Sequence, residues 1–244
     1  MLNIGITQSN AEWITLRGNI SKRSITDSLK SKWCWAYSGA KMLEYLGITG
    51  KQAAHVAISA GHDLKSDEAE DISRTVWAVR DILPECHPLK NLDINHFHCG
   101  KSCFGILIKI DKIIDTNKKS ILLPDGNCAR MEGDVLDFNF SESEFLKTSF
   151  EKSRPVLAKL TGGIYGNEGH IVVITGIEWE KFSIPEPLKM FPKELINAFF
   201  PNGIPTYIIN KIRYWDVNRG EVTEDFVQSF ATKVISYAGF DINA

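Results

Sequence analysis

No stretch of this chain stays apolar for the ~18–20 residues needed to cross a bilayer. Its longest apolar segments, such as Ile171–Ile174 and Ile121–Leu123, have the length of strands. An excess of basic charge is also missing. The 28 Lys and Arg stand against 30 Asp and Glu, a net charge of −2, so nothing in the bulk composition attracts a phosphate backbone and nucleic acid is not an expected partner. The first residues, Met1-Leu-Asn-Ile-Gly-Ile-Thr-Gln8, lack the basic and apolar regions of a secretory signal. The five cysteines (34, 86, 99, 103 and 128) are odd in number and irregular in spacing, a poor basis for a disulfide framework. Together these absences suggest reduced thiols in a cytoplasmic protein, with export that needs no cleavable signal as the other localisation. Internal repeats and low-complexity tracts are absent too.

What is present is ordinary core material: 43% hydrophobic residues with 24% charged, over a length sufficient for one large domain or two packed halves. The early signals are helical. Ala36, Ala40, Leu43 and Leu46 recur at helical spacing, and Gly47 stands where a glycine terminates a helix. Thr49-Gly-Lys-Gln52 has the form of a capping box opening a helix through about Ala60. Ser66 is placed to cap the next helix, with Asp67, Glu68 and Glu70 in its first turn; Ile72, Val76, Val79 and Leu83 form its apolar stripe, and Pro84 ends it.

Later signals favour strands: 104–114, 119–124, Val156–Leu160, His170–Glu178 and Tyr207–Asp216. Two helices interrupt them. One is opened by the capping box Ser141-Glu-Ser-Glu144; the other is capped by Thr223 and carries Phe226, Phe230 and Val234 on one face. The expected fold is α+β: a mainly helical half over 1–103 followed by a mainly β half over 104–244, packed around a shared cleft. Five of the nine prolines fall in 182–206 beside Met190, Phe191, Leu195, Phe199 and Phe200, too apolar a set for a segment that merely crosses solvent, which suggests a wall or lid of the cleft.

The first chemical signal is Lys32-Trp-Cys-Trp-Ala-Tyr-Ser-Gly-Ala40. Cys34 opens its predicted helix, where unpaired N–H groups and the positive end of the helix dipole favour the thiolate, the reactive form of the side chain. The second is Gly169-His-Ile-Val-Val-Ile-Thr-Gly176, which sets His170 at the first residue of a strand, rigidly held at an edge. The plain alternatives are a core cysteine packed between tryptophans and a histidine used for packing.

Both segments resemble those of the papain-like cysteine peptidase superfamily, in particular its bacterial branches similar to bacteriocin-leader peptidases and secreted effector proteases. Their nucleophile segment reads Cys-Trp-Ala-x-Ser-x-Ala and runs into an apolar helix ending Leu-Gly. Here it is Cys34-Trp-Ala-Tyr-Ser-Gly-Ala40, then Leu43 to Gly47. A Pro-Val strand, a glycine-rich loop and a Gly-His strand follow in those proteins; here they are Pro155-Val156, the loop 161–169 and Gly169-His170. The Cys-to-His separation also falls in the ~130–150 residue range of papain-type enzymes.

The resemblance implies a papain-like fold and hydrolysis of a protein or peptide substrate with no cofactor, Cys34 attacking and His170 serving as base. It also implies an orienting Asp or Asn at the end of the next long strand, often in Asp-Pro-x-x-Gly. Asp216-Val-Asn-Arg-Gly220 fits with Val in place of Pro, so Asp216 is the expected third member and Asn218 the alternative. Such enzymes place an oxyanion-binding Gln about six residues before the cysteine; here that position is Ser28, while Gln8 and Asn19 lie further upstream. The same triad also serves acyl transfer or glutamine deamidation, and a cleft without its oxyanion donor would serve only for binding.

Cys86, His87, His96, His98, Cys99 and Cys103 bring six Cys and His residues into eighteen positions, a density that can hold zinc, yet no Cys-x₂-Cys pair occurs. The expectation is therefore no metal. Iodoacetamide at about pH 6 should alkylate Cys34 ahead of the other four cysteines; mass spectrometry showing even labelling of all five, or none, would remove the nucleophile assignment.

Overall fold

A computed structural model describes residues 11–17, 20–25, 32–98, 140–161, 169–181, 207–224 and 233–244, with the short pieces 189–190, 192–194, 196 and 230. The expected strands at 104–114 and 119–124, and nearly all of the proline-rich segment 182–206, lie outside these residues.

In chain order the elements are β1 (Glu12–Thr15), α1 (Cys34–Tyr45), α2 (Ala53–Ser59), α3 (Ile72–Ile82), β2 (Ile94–His98), α4 (Phe140–Glu151), β3 (Val156–Leu160), β4 (His170–Lys181), β5 (Tyr207–Asp216), β6 (Gly220–Glu224) and β7 (Val234–Phe240). The fold is α+β. One antiparallel sheet runs in the order β2-β7-β3-β4-β5-β6, and β1 joins it through β4. Long β4 organises the sheet. Along one edge β3 pairs with 170–174 and β1 with 176–179, end to end; β5 occupies the other edge from Val173 onward. β1 and β2 both precede residue 104, so the sheet draws strands from the expected helical half as well.

Alternation along β4 divides the core in two. Ile171 and Val173 face a cluster built on α1, α2 and α3, while Val172 and Ile174 face Phe145, Leu146 and Phe150 of α4. A strand covered on both faces carries no polar alternation, which explains the unbroken Ile-Val-Val-Ile run. α1 ends as its sequence requires. Gly47 takes φ +82, its N–H donates to the Glu44 carbonyl, and the Ile48 N–H donates to Leu43, the paired bonds of a Schellman motif.

Three expectations are corrected. The capping box of α2 sits three residues later than expected: Gln52 is the N-cap and His55 its reciprocal partner, the Gln52 N–H donating to His55 Nδ1. α3 begins at Ile72 with Asp71 as cap rather than at Ser66, because residues 66–68 bond elsewhere. Thr223 does not cap a helix; it lies in β6 opposite Arg213, and Val234 opens β7, which inserts between β2 and β3. Phe226 of that expected helix lies outside the described residues, while Val234 is drawn into a strand whose partners in β2 and β3 are distant in sequence.

The three helices on one face meet at Gly39, where a Cβ would lie 2.8 Å from Val56 Cγ1 and 3.2 Å from Thr75 Cγ2. Overpacking of ~1–3 kcal/mol should outweigh the ~1 kcal/mol gain in helix propensity. Gly39→Ala is therefore expected to melt below the parent protein, and an equal or higher melting temperature would show that α2 and α3 can retreat.

Candidate active site

α1 starts without a side-chain cap. Its N-cap is Trp33, whose side chain makes no capping hydrogen bond. The chain just ahead of the helix is gripped instead by the loop between α2 and α3. The Lys32 N–H donates to Asp67 Oδ1 at 3.1 Å, the Trp33 indole N–H to the Ser66 carbonyl at 3.0 Å, and the Trp35 indole N–H to the Glu68 carbonyl at 3.4 Å. Buried indoles need such acceptors. This is why residues 66–68, acidic and serine-led like a helix start, form a loop.

β4 starts beside this helix. Gly169 turns the chain with φ +84, and a Cβ there would come within 2.7 Å of Lys159 Cε, so glycine is required to deliver His170 to the first strand position. Because β5 pairs with β4 only from Val173, the backbone at 171 needs partners of another kind. The Ile171 N–H donates to Cys34 Sγ at 3.4 Å, and the Ile171 carbonyl accepts from Ser38 Oγ at 2.8 Å. Ser38 lies one helical turn after Cys34 and is fully buried. The first turn of α1 thus closes the open edge of β4, which sets the sulfur next to the His170 ring.

Asp216 arrives from the end of β5. Its Oδ1 accepts from His170 Nε2 at 3.1 Å and from the Asn218 backbone N–H at 2.8 Å. The structure thus brings Cys34, His170 and Asp216 together. Asn218 contributes its backbone to the Asp216 carboxylate. Val217, at the position where the resemblance has proline, accepts the Ile25 N–H through its carbonyl at 2.7 Å. Gly220 closes the turn at φ +78; a Cβ there would meet the Lys22 carbonyl at 2.6 Å. The strap 20–25 is held further by Trp215 Nε1 donating to Arg23 O, and by buried Lys41, which donates to Ser21 O and lies over the Trp215 ring.

Cys34 and His170 each keep 9% exposure while Asp216 keeps none, so the first two are within reach of a bound molecule and the carboxylate is not. Burial alone would lower the pKa of His170, but the hydrogen bond it donates to Asp216, the hydrogen bond with Cys34 and the electrostatic attraction of both outweigh it, raising the value to about 9. With Nε2 committed to Asp216, Nδ1 is the nitrogen left to bond the sulfur. This arrangement suits an imidazolium between two acidic groups.

Sequence reasoning did not assign Ser38 a role, although it stands in the quoted motif; its spacing of one turn from Cys34 was the available signal. The gripping loop carried no signal beyond its polar composition. Ser28, Gln8 and Asn19, the positions weighed for an oxyanion donor, lie outside the described residues, as do Cys99 and Cys103 of the Cys/His-rich segment. Among the described residues no group of three His, Cys, Asp or Glu converges as metal ligands would, and no helix is long and apolar enough to cross a membrane. No protein-family model matches the chain, and no curated protein matches it.

The raised pKa of His170 makes stability depend on pH. The folded state binds the proton more tightly than the unfolded chain, so this contribution is fully present below about 6.5 and is lost as pH rises through about 9. Urea unfolding should show a decline of at most roughly 3 kcal/mol across that window. His170→Asn should flatten this part of the profile, and an equally steep decline in the variant would place its origin elsewhere.

Proposed function

We propose that this chain is a papain-like cysteine peptidase, in which Cys34 is the nucleophile, His170 the general base and acid, and Asp216 the orienting group. The observation that carries the reading is the contact of three elements at one point: the first residue of α1, the first residue of β4 and the last residue of β5, with His170 bonded to both acidic partners.

In this reading the imidazolium holds the sulfur as thiolate. Sγ attacks the carbonyl carbon of a bound peptide, and the electron pair of the C=O moves to oxygen. A backbone N–H at the start of α1, that of Cys34 itself, is one donor to that oxygen. As the intermediate collapses, His170 passes its proton to the leaving amine and the C–N bond breaks, leaving a thioester on Cys34. Neutral His170 then takes a proton from water, whose oxygen attacks the thioester and releases the acid. Asp216 accepts a hydrogen bond from Nε2–H throughout without taking the proton, which keeps Nδ1 aimed at the sulfur. The extra bond from the Asn218 N–H fixes the carboxylate rotamer.

Two substitutions separate chemistry from packing. Cys34→Ala should abolish peptide hydrolysis while the protein still folds, its melting temperature lowered because the Ile171 N–H loses its acceptor. Asp216→Ala should lower turnover far more than Asn218→Ala, since a backbone N–H survives replacement of the Asn side chain. Cleavage of a peptide library by parent and variants is the measurement. Undiminished cleavage by Cys34→Ala would end the reading, and a larger effect at Asn218 would move the orienting role there.

A further inference from the structure

His62 and Glu70 stand at the two ends of the loop that grips α1, and the chemistry above uses neither. His62 Nδ1 lies 3.1 Å from Glu70 Oε1, and the imidazole side chain is 5% exposed. Its ring meets Trp33 and Trp35 edge-on, with centroid distances of 5.9 and 5.1 Å and interplanar angles of 80° and 68°. Glu70 lies 3.8 Å from the Arg74 guanidinium, which also donates to the Ala60 carbonyl, so both ends of the loop are tied to one another. His62 Nε2 is buried with no hydrogen-bond partner among the described residues. An imidazole here therefore costs free energy that an apolar ring of similar size would not, which makes the bond to Glu70, rather than the packing, the reason for histidine.

The ring touches the two tryptophans that flank Cys34, and the same loop accepts their indole N–H groups. α1 has no side-chain cap of its own. An uncapped helix start frays, and fraying here would carry Cys34 away from the Ile171 N–H and the His170 ring. We propose that His62 and Glu70 are positioning residues for Cys34: paired with each other, they fix Trp33 and Trp35 and so hold the first turn of α1 where the sulfur meets His170. The inference rests on the active-site reading above.

The test is the rate of Cys34 alkylation by iodoacetamide, followed by mass spectrometry of the full chain well below its melting temperature. Each protein is compared with itself as the ratio of rates at about pH 6 and about pH 9, which cancels changes in access to the sulfur. His62→Ala and Glu70→Ala should each lower that ratio by roughly ten- to a hundredfold. The double variant should fall no further than the worse single one, because the two act as a unit, and Glu70→Gln, which keeps an oxygen for His62, should stay near the parent. Folded variants with the parent ratio would overturn the inference and leave the pair as packing. Should His62→Ala fail to fold, the two Glu70 variants decide by the same criterion. A parent protein in which Cys34 reacts no faster at about pH 6 than exposed Cys86 would instead sink the active-site reading, and the inference with it.

Discussion

The peptide group of Ile171 is shared between the sheet and the first helix, and the geometry of the site follows from that sharing. β4 runs past the end of β5, leaving an N–H and a carbonyl that no strand takes up. Leaving such groups buried and unpaired would cost several kcal/mol. Cys34 and Ser38, one turn apart on α1, supply an acceptor and a donor for them. The requirement that satisfies the backbone is thus the same one that sets the sulfur beside His170, and structural and chemical constraints coincide at a single residue.

Around that point the layers act as supports in different directions. α2 and α3 press α1 onto the sheet, closely enough that position 39 admits no Cβ. Beneath, α4 and the aromatic residues Phe145, Phe150, Phe230 and Tyr237 fill the opposite face, so β4 has protein on both sides and little room to shift. The strap 20–25 secures the end of β5 through backbone bonds to Val217 and Glu221, the indole of Trp215 and the ammonium of Lys41. Asp216 follows Trp215 directly. The backbone at Asp216 is therefore held by bonds to its neighbours and by the packing of a tryptophan, and the Asn218 N–H fixes the carboxylate itself.

The start of α1 is secured from outside the helix. In many helices a Ser, Thr, Asp or Asn at the N-cap performs this task locally. Here the cap position holds Trp33, and the bonds come from a loop more than thirty residues away in sequence. Holding this helix start by tertiary contacts leaves the residues beside Cys34 free to be large and apolar, and both tryptophans are buried in the core.

Much of this was legible in the residues themselves. The span of α1 with its Gly47 stop, the spans of β3 and β5 and the start of β4 depend on local patterns: apolar spacing, a terminating glycine and a strand-opening histidine. Cys34, His170 and Asp216, singled out through a family resemblance, are residues that the fold brings together. Tertiary structure decided the rest. Val234–Phe240 became a strand because β2 and β3 flank it, and a short apolar run does not specify its partners. Residues 66–68 became a loop because two indoles claim their carbonyls, overriding a good capping pattern. Ser38 gained its role only once an unpaired carbonyl of β4 lay beside it. In each case the determining bond joins segments far apart along the chain, and periodicity within one segment carries no record of what lies across from it.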